Sequence, residues 1–134
     1  MTERVEPALN VAYVDTSFLV AIAFGERGAK SSARRLDGFD ELLSSNLLEA
    51  ELRSAFRREE VPFEQDLLSW ITWVLPDRPL GREMARVLEA GYVRGADLWH
   101  LAAALYLVED PGELSFLTLD DRQGKVAGTL GFRV

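Results

Sequence analysis

Apolar and polar positions along the chain switch repeatedly between a two-residue and a three-to-four-residue period. The β-branched and aromatic run Val11–Val14 predicts a first strand, and the apolar stretch Ser17–Phe24 predicts a helix with Thr16 or Ser17 at its cap. Beyond the turn "GERG", a second helix is expected over Ala29–Leu36 and a short strand over Glu41–Ser45. Asn46 is placed to cap a helix running to about Glu60, where Pro62 stops it, and Phe63–Thr72 also reads as helical. Trp73–Leu75 predicts a third strand, and Gly81–Tyr92 a further helix. Asp97–Val108 is apolar on nearly every side, as expected of an interior helix. "LSFLTL", Leu114–Leu119, predicts another strand, "DDRQGKVAGTLG" a last short helix, and "FRV" a final short strand. Such alternation predicts right-handed crossovers and a parallel sheet between helical layers, an α/β fold. In such sheets the site lies at the carboxyl ends of the strands.

That rule gives two acids a shared location. Asp15 follows the first strand and Asp120 follows "LSFLTL", so both emerge at one edge of the sheet, as turn or capping residues or as parts of a site. A bare carboxylate beside the apolar run "VAYV" is costly unless something pairs with it. In "NLLEAELRSAFRREE", about 100° per residue places Glu51 between Leu47 and Ala55 on the core-facing stripe. Glu51 is therefore either a functional acid or one that reaches solvent at the stripe's margin. Glu49 falls at the polar edge with Arg53 at i+4 and reads as a surface ion pair. Asp97 opens the apolar helix, as an N-cap or as an acid where the core meets a cleft. One turn on, His100 reads as a satisfied, partly buried packing histidine rather than a metal ligand or general base.

Composition narrows the chemistry. With 134 residues, 48% hydrophobic, 10 Gly and 5 Pro, and no linker or repeat, one domain spanning residues 1–134 is expected. The absence of cysteine excludes disulfides and thiolate metal sites and fits a reducing compartment. "MTERVEPALN" lacks the apolar core of a signal peptide, and "FLVAIAF" and "LAAALYLV" are too short to span a bilayer, so a soluble cytoplasmic protein is expected. A net charge of -7 argues against broad nucleic-acid coating and leaves room for a local basic patch. Converging carboxylates repel one another and imply a hard divalent cation, Mg²⁺ or Mn²⁺, one ion or two, rather than zinc in a chain with a single histidine. Such an ion suits phosphate chemistry. Thr16 and Ser17 then hold the Asp15 carboxylate or a bound water, cap the helix, or both. Arg53, Arg57 and Arg58 beyond Glu51, Arg94 before Asp97, and Arg122 and Lys125 after Asp120 flank the acids, as solvated charges or as phosphate contacts.

"YVDTSFLVA", "LLEAELRSAFRR", "ADLWHLAAAL" and "FLTLDDRQGKVAGTLGF" follow one another in this order over nearly the whole chain. In order and spacing, the chain resembles PIN-domain proteins, and VapC-type toxins of type II toxin–antitoxin systems in particular. The resemblance implies a three-layer α/β/α sandwich with a central, mostly parallel sheet, and metal-dependent ribonuclease activity on single-stranded RNA. It implies Asp15, Glu51 and Asp97 as core acids and Asp120 as the fourth, with Asp121 beside it as the alternative. Thr16, Ser17 and Thr118 match the supporting hydroxyls. A homodimer and a cognate antitoxin are also implied, and Phe18, Phe24, Trp70 and Trp73 are aromatic candidates for those surfaces, or for the core. The nearest alternatives are a PIN nuclease of RNA maturation or turnover and a catalytically silent PIN-like binding module. Haloacid-dehalogenase-like chemistry fits less well, because Ser17 stands where a second Asp is needed. Receiver-like chemistry expects an acid pair before its phospho-acceptor and a well-placed Lys.

Overall fold

Four short strands share one parallel sheet in the computed structural model, which describes residues 9–134. β1 (Val11–Val14) lies between β2 (Glu41–Ser45) and β4 (Ser115–Leu117), and β3 (Thr72–Val74) flanks β2, giving the order β3-β2-β1-β4. In this register Tyr13 stands opposite Leu43 on one side and Phe116 on the other. A parallel sheet is buried on both faces, and the two-residue period of a strand divides its side chains between them. Tyr13 and Phe116 enter one core with α4 (Gly81–Ala90), α5 (Gly95–Leu107) and α6 (Asp121–Leu130), through Val87, Leu101, Val126 and Leu130. Their rings stack at 5.4 Å. Ala12, Val14 and Leu117 enter the opposite core with α1 (Thr16–Ala23), α2 (Ala29–Asp37) and α3 (Leu47–Arg58), through Leu19, Leu36, Leu52 and Phe56. This is the expected three-layer sandwich.

Several local expectations are corrected. Phe63–Thr72 is not an α-helix: a 3₁₀ turn covers Gln65–Trp70, and Thr72 already belongs to β3. Leu67, Leu68 and Ile71 all enter the core, and pairing of Thr72 with Leu43 extends the backbone from Ile71 onward. "FRV" makes only an isolated bridge from Arg133 to Ser115. Asp15, rather than Thr16 or Ser17, caps α1, accepting from the Ser17 N–H. Asn46 precedes α3 with helical dihedrals and no side-chain cap bond. Arg94 holds the cap position of α5, so Asp97 is its third residue and not an N-cap. Of the aromatic surface candidates, Phe18 is buried, Phe24 packs edge-on to Phe56 at 4.8 Å, and Trp73 packs against the same core. Trp70 alone of the four is exposed, at 45%. Among the described residues no helix is long and apolar enough to cross a membrane. Most of "MTERVEPALN", residues 1–8, lies outside the described residues.

Between α4 and α5 the chain runs tightly over α6. A Cβ built on Gly91 would stand 2.9 Å from Cγ2 of the buried Val126. Gly91→Ala should therefore cost about 1–3 kcal/mol through overpacking. Adding Val126→Ala should recover part of that loss, so that the double mutant is less destabilised than the sum of the two single changes, measured by urea unfolding. Additive losses would contradict the close approach.

Candidate active site

The strand order turns back beside β1, with β2 and β3 on one side and β4 on the other, and chains leaving the carboxyl ends there border a crevice. Asp15 leaves β1 with its N–H still bonded to the Leu117 carbonyl at 2.9 Å. The residue is only 4% exposed, yet no Lys or Arg lies within ion-pair distance of it among the described residues. Neutral donors satisfy it instead. Oδ2 accepts from the Ser17 hydroxyl at 2.6 Å and the Ser17 N–H at 3.2 Å, and Thr118 Oγ1 lies 3.1 Å away. Oδ1 accepts from Gln123 Nε2 at 3.3 Å. Ser17 in turn accepts from the Leu119 N–H at 3.0 Å, joining the start of α1 to the loop after β4.

Glu51 is held differently. Its Oε1 accepts from the Thr16 hydroxyl at 2.8 Å and lies 2.7 Å from His100 Nε2. The His100 ring is fully buried, with Nδ1 2.7 Å from the Tyr13 hydroxyl, which also accepts from the Ser45 N–H at 3.2 Å. A phenol donating to Nδ1 assigns the imidazole proton to Nε2, where it points at Glu51. Burial pushes the Tyr13 phenol up to about 12, so it stays protonated and can donate. Burial also favours the neutral form of Glu51, but the bonds from His100 and Thr16 outweigh it and hold the carboxyl below its ordinary range. Glu51 lies on the core-facing stripe because His100, from the opposite helical layer, meets it past the end of the sheet.

Asp97 is half-buried, and burial first, then the charges of Asp15 and Asp120, raise its carboxyl above the ordinary value against a modest pull from Arg94; Glu51 adds to the rise. The four acids therefore act on one electrostatic environment. Asp120 caps α6, accepting from the Gln123 N–H at 2.8 Å, whereas Asp121 is exposed on the first turn of the helix. An all-carboxylate donor set fits a hard divalent cation and serves zinc poorly. The acids are not drawn into a finished shell, however, for among the described residues no three His, Asp or Glu side chains are grouped to hold a metal ion.

The basic candidates separate. Arg53 bonds Glu49 at 2.7 Å and Gln65 at 3.2 Å and lies over the Phe63 ring at 4.3 Å, so the surface pair read from the sequence is present. Arg57 is exposed on α3, and Lys125 is exposed on α6. Arg58 contacts Glu59 at 3.3 Å and borders a shallow cleft with Glu51. Only Arg94 and Arg122 share a cleft with Asp97 and Asp120, one of about 400 Å³.

Comparison with known families matches residues 12–129 to the PIN domain. The chain belongs to the PIN domain family. No curated protein and no solved structure matches it. PIN domains are generally nucleases and typically use divalent metals.

Sequence reasoning missed three residues that order this PIN domain's acids: Tyr13, Gln123 and the contact role of His100. Two spacings carried the signal. His100 lies one helical turn after Asp97, and Gln123 stands three residues after Asp120, as in a capping box. Tyr13→Phe should leave His100 Nδ1 and the Ser45 N–H without their buried partner and cost about 1–3 kcal/mol in urea unfolding, although shape is conserved. A neutral effect would remove the Tyr13–His100–Glu51 connection. Because Asp97 keeps its proton to higher pH when folded than when unfolded, stability falls as pH rises from its ordinary value of 3.8 through the raised one. Asp97→Asn should therefore raise the melting temperature of the metal-free PIN domain at pH 7, and the advantage should vanish as pH falls towards 3.8. An advantage independent of pH would refute the electrostatic cause.

Proposed function

We propose that this PIN domain is a metal-dependent endoribonuclease that hydrolyses RNA phosphodiester bonds, and that it acts as the toxin of a type II toxin–antitoxin pair. The observation that carries the nuclease reading is the grouping of acids at one crevice: Asp97 and Asp120 line the same cleft, and the buried Asp15 has no lysine or arginine partner among the described residues. Uncompensated negative charge at a strand-end crevice calls for a cation with oxygen ligands. Asp15, Glu51, Asp97 and Asp120 are the residues that would hold Mg²⁺ or Mn²⁺. When bound, such an ion polarises a phosphate oxygen, lowers the pKa of a water and neutralises charge in an in-line displacement.

The protein's own contribution is orientation. Ser17, Thr118 and Gln123 hold the Asp15 carboxylate, and Thr16 and His100 hold Glu51, so these two acids need little reordering when the site fills. Asp97 and Asp120 line the cleft with Arg94 and Arg122, which supply the positive charge that an RNA backbone requires beside an acidic centre. The toxin role rests on the order and spacing of the four acid-bearing segments. In this reading the protein is a cytoplasmic homodimer, silenced by a cognate antitoxin that sets a basic side chain among the acids. Exposed Trp70 is the aromatic candidate left for a partner surface.

Purified protein incubated with a labelled RNA pool should cut it with Mg²⁺ or Mn²⁺ and not with chelator. Asp97→Asn should lower the rate by more than about 100-fold, beyond the usual loss for a residue that only supports a ligand. Mn²⁺ at 100 times its Kd should stabilise the wild type by about 2.7 kcal/mol in thermal unfolding, and Asp97→Asn much less. Absence of both cleavage and metal stabilisation would replace this reading with a silent binding module.

A further inference from the structure

We propose that Tyr92 is a stacking platform for one unpaired base of the RNA substrate, next to the phosphate that is cut, with Arg94 and Arg122 holding the flanking phosphates. The inference rests on the nuclease reading and adds a subsite to it. Tyr92 is 65% exposed, and it lines the same cleft as Asp97 and Asp120. The Arg122 guanidinium lies 5.6 Å from the centre of the ring. Neither Arg94 nor Arg122 has a carboxylate within 4.0 Å among the described residues, although four acids lie nearby. Both guanidiniums are thus left without a close ion-pair partner.

The local backbone displays the ring. Residues 91–94 alternate as in a strand: Gly91 packs onto Val126, Tyr92 points out, Val93 is buried at 4% exposure, and Arg94 is exposed. The segment is tied at both ends, by the Gly91 N–H to the Val87 carbonyl at 3.1 Å and by the Leu98 N–H to the Arg94 carbonyl at 2.8 Å. Anchoring through Gly91 and Val93 leaves Tyr92 little freedom to fold away from solvent. A fixed aromatic face flanked by guanidiniums is the means by which proteins hold single-stranded nucleic acid, stacking supplying base contact and cations supplying phosphate contact. In a chain of net charge -7, such a local arrangement is needed to bring RNA to an acidic centre.

The test uses the full-length protein with Mg²⁺ and a short single-stranded oligoribonucleotide carrying 2-aminopurine, with binding and base quenching read in the Asp97→Asn background and cleavage in the otherwise wild-type chain. Tyr92→Ala and Tyr92→Leu should weaken binding about tenfold and abolish the quenching, while Tyr92→Phe and Tyr92→Trp preserve both. In cleavage, the loss in Tyr92→Ala should fall mainly on KM. Arg94→Ala with Arg122→Ala should flatten the salt dependence of binding without removing the quenching. Cleavage by the wild type with Tyr92→Ala equal to it would overturn the platform and leave the nuclease standing. A Tyr92→Leu variant that matches Tyr92→Phe would also overturn the platform, since apolar contact without stacking would then suffice. Tyr92-dependent quenching without any cleavage would overturn the nuclease and the placement beside a cut phosphate, and would keep only base stacking on Tyr92. Neither binding nor cleavage would overturn both, and would assign the exposed ring to a protein partner.

Discussion

Burying the Asp15 carboxylate is the constraint on which the rest of the site depends. Taken out of water without partners, such a charge costs several kcal/mol. Ser17 in the first turn of α1 and Gln123 in the first turn of α6 donate to it, and Thr118 in the loop after β4 contacts both Asp15 and Gln123, so satisfying one side chain ties three segments together. None of those donors carries a charge. The carboxylate is thereby oriented without a lysine or arginine beside it, with His100 Nε2 3.8 Å from Oδ1, and remains open to a cation. A lysine or arginine in the same place would have stabilised the fold and removed the charge that the proposed chemistry uses.

A second line of contacts ties the two helical layers together. Tyr13 on the central strand bonds His100 of α5, and His100 bonds Glu51 of α3 on the other side of the sheet. Ring stacking on Phe116 fixes Tyr13, so the orientation of an acid at the surface is set by packing in the middle of the core. Asp97 is the exception: it borders the cleft without a comparable set of donors, and burial first, then the charges of Asp15 and Asp120, raise its carboxyl.

Tyr92, Arg94 and Arg122 form the other half of the cleft, and their arrangement follows from the same helices. α5 begins at Gly95, immediately after the exposed pair, and α6 carries both Arg122 and the Val126 side chain against which Gly91 packs. Acids and cations therefore move together if these helices shift, which keeps a substrate-facing surface in register with the acidic centre.

Much of the fold was legible because its causes are local. Val11–Val14, Glu41–Ser45 and the all-apolar helix after "RGA" declare their type through side-chain period, and a residue next to a strand end is placed by the strand itself. Asp15 and Asp120 could therefore be assigned to one edge, and the order of the acid-bearing segments pointed to the PIN domain family, whose match covers residues 12–129. Phe63–Thr72 departs from its helical pattern because pairing with β2 overrides it, and the contacts of Arg53 with Phe63 and Gln65 are not legible in the pattern because they form only after the chain folds back. What the sequence alone determined is the class of fold, the edge that carries the acids and the residue types available there. Tertiary structure alone decided that His100 would serve Glu51, that Asp97 would be half-buried beside Asp15 and Asp120 and that Tyr92 would face solvent, because each depends on contacts between segments that periodicity does not relate.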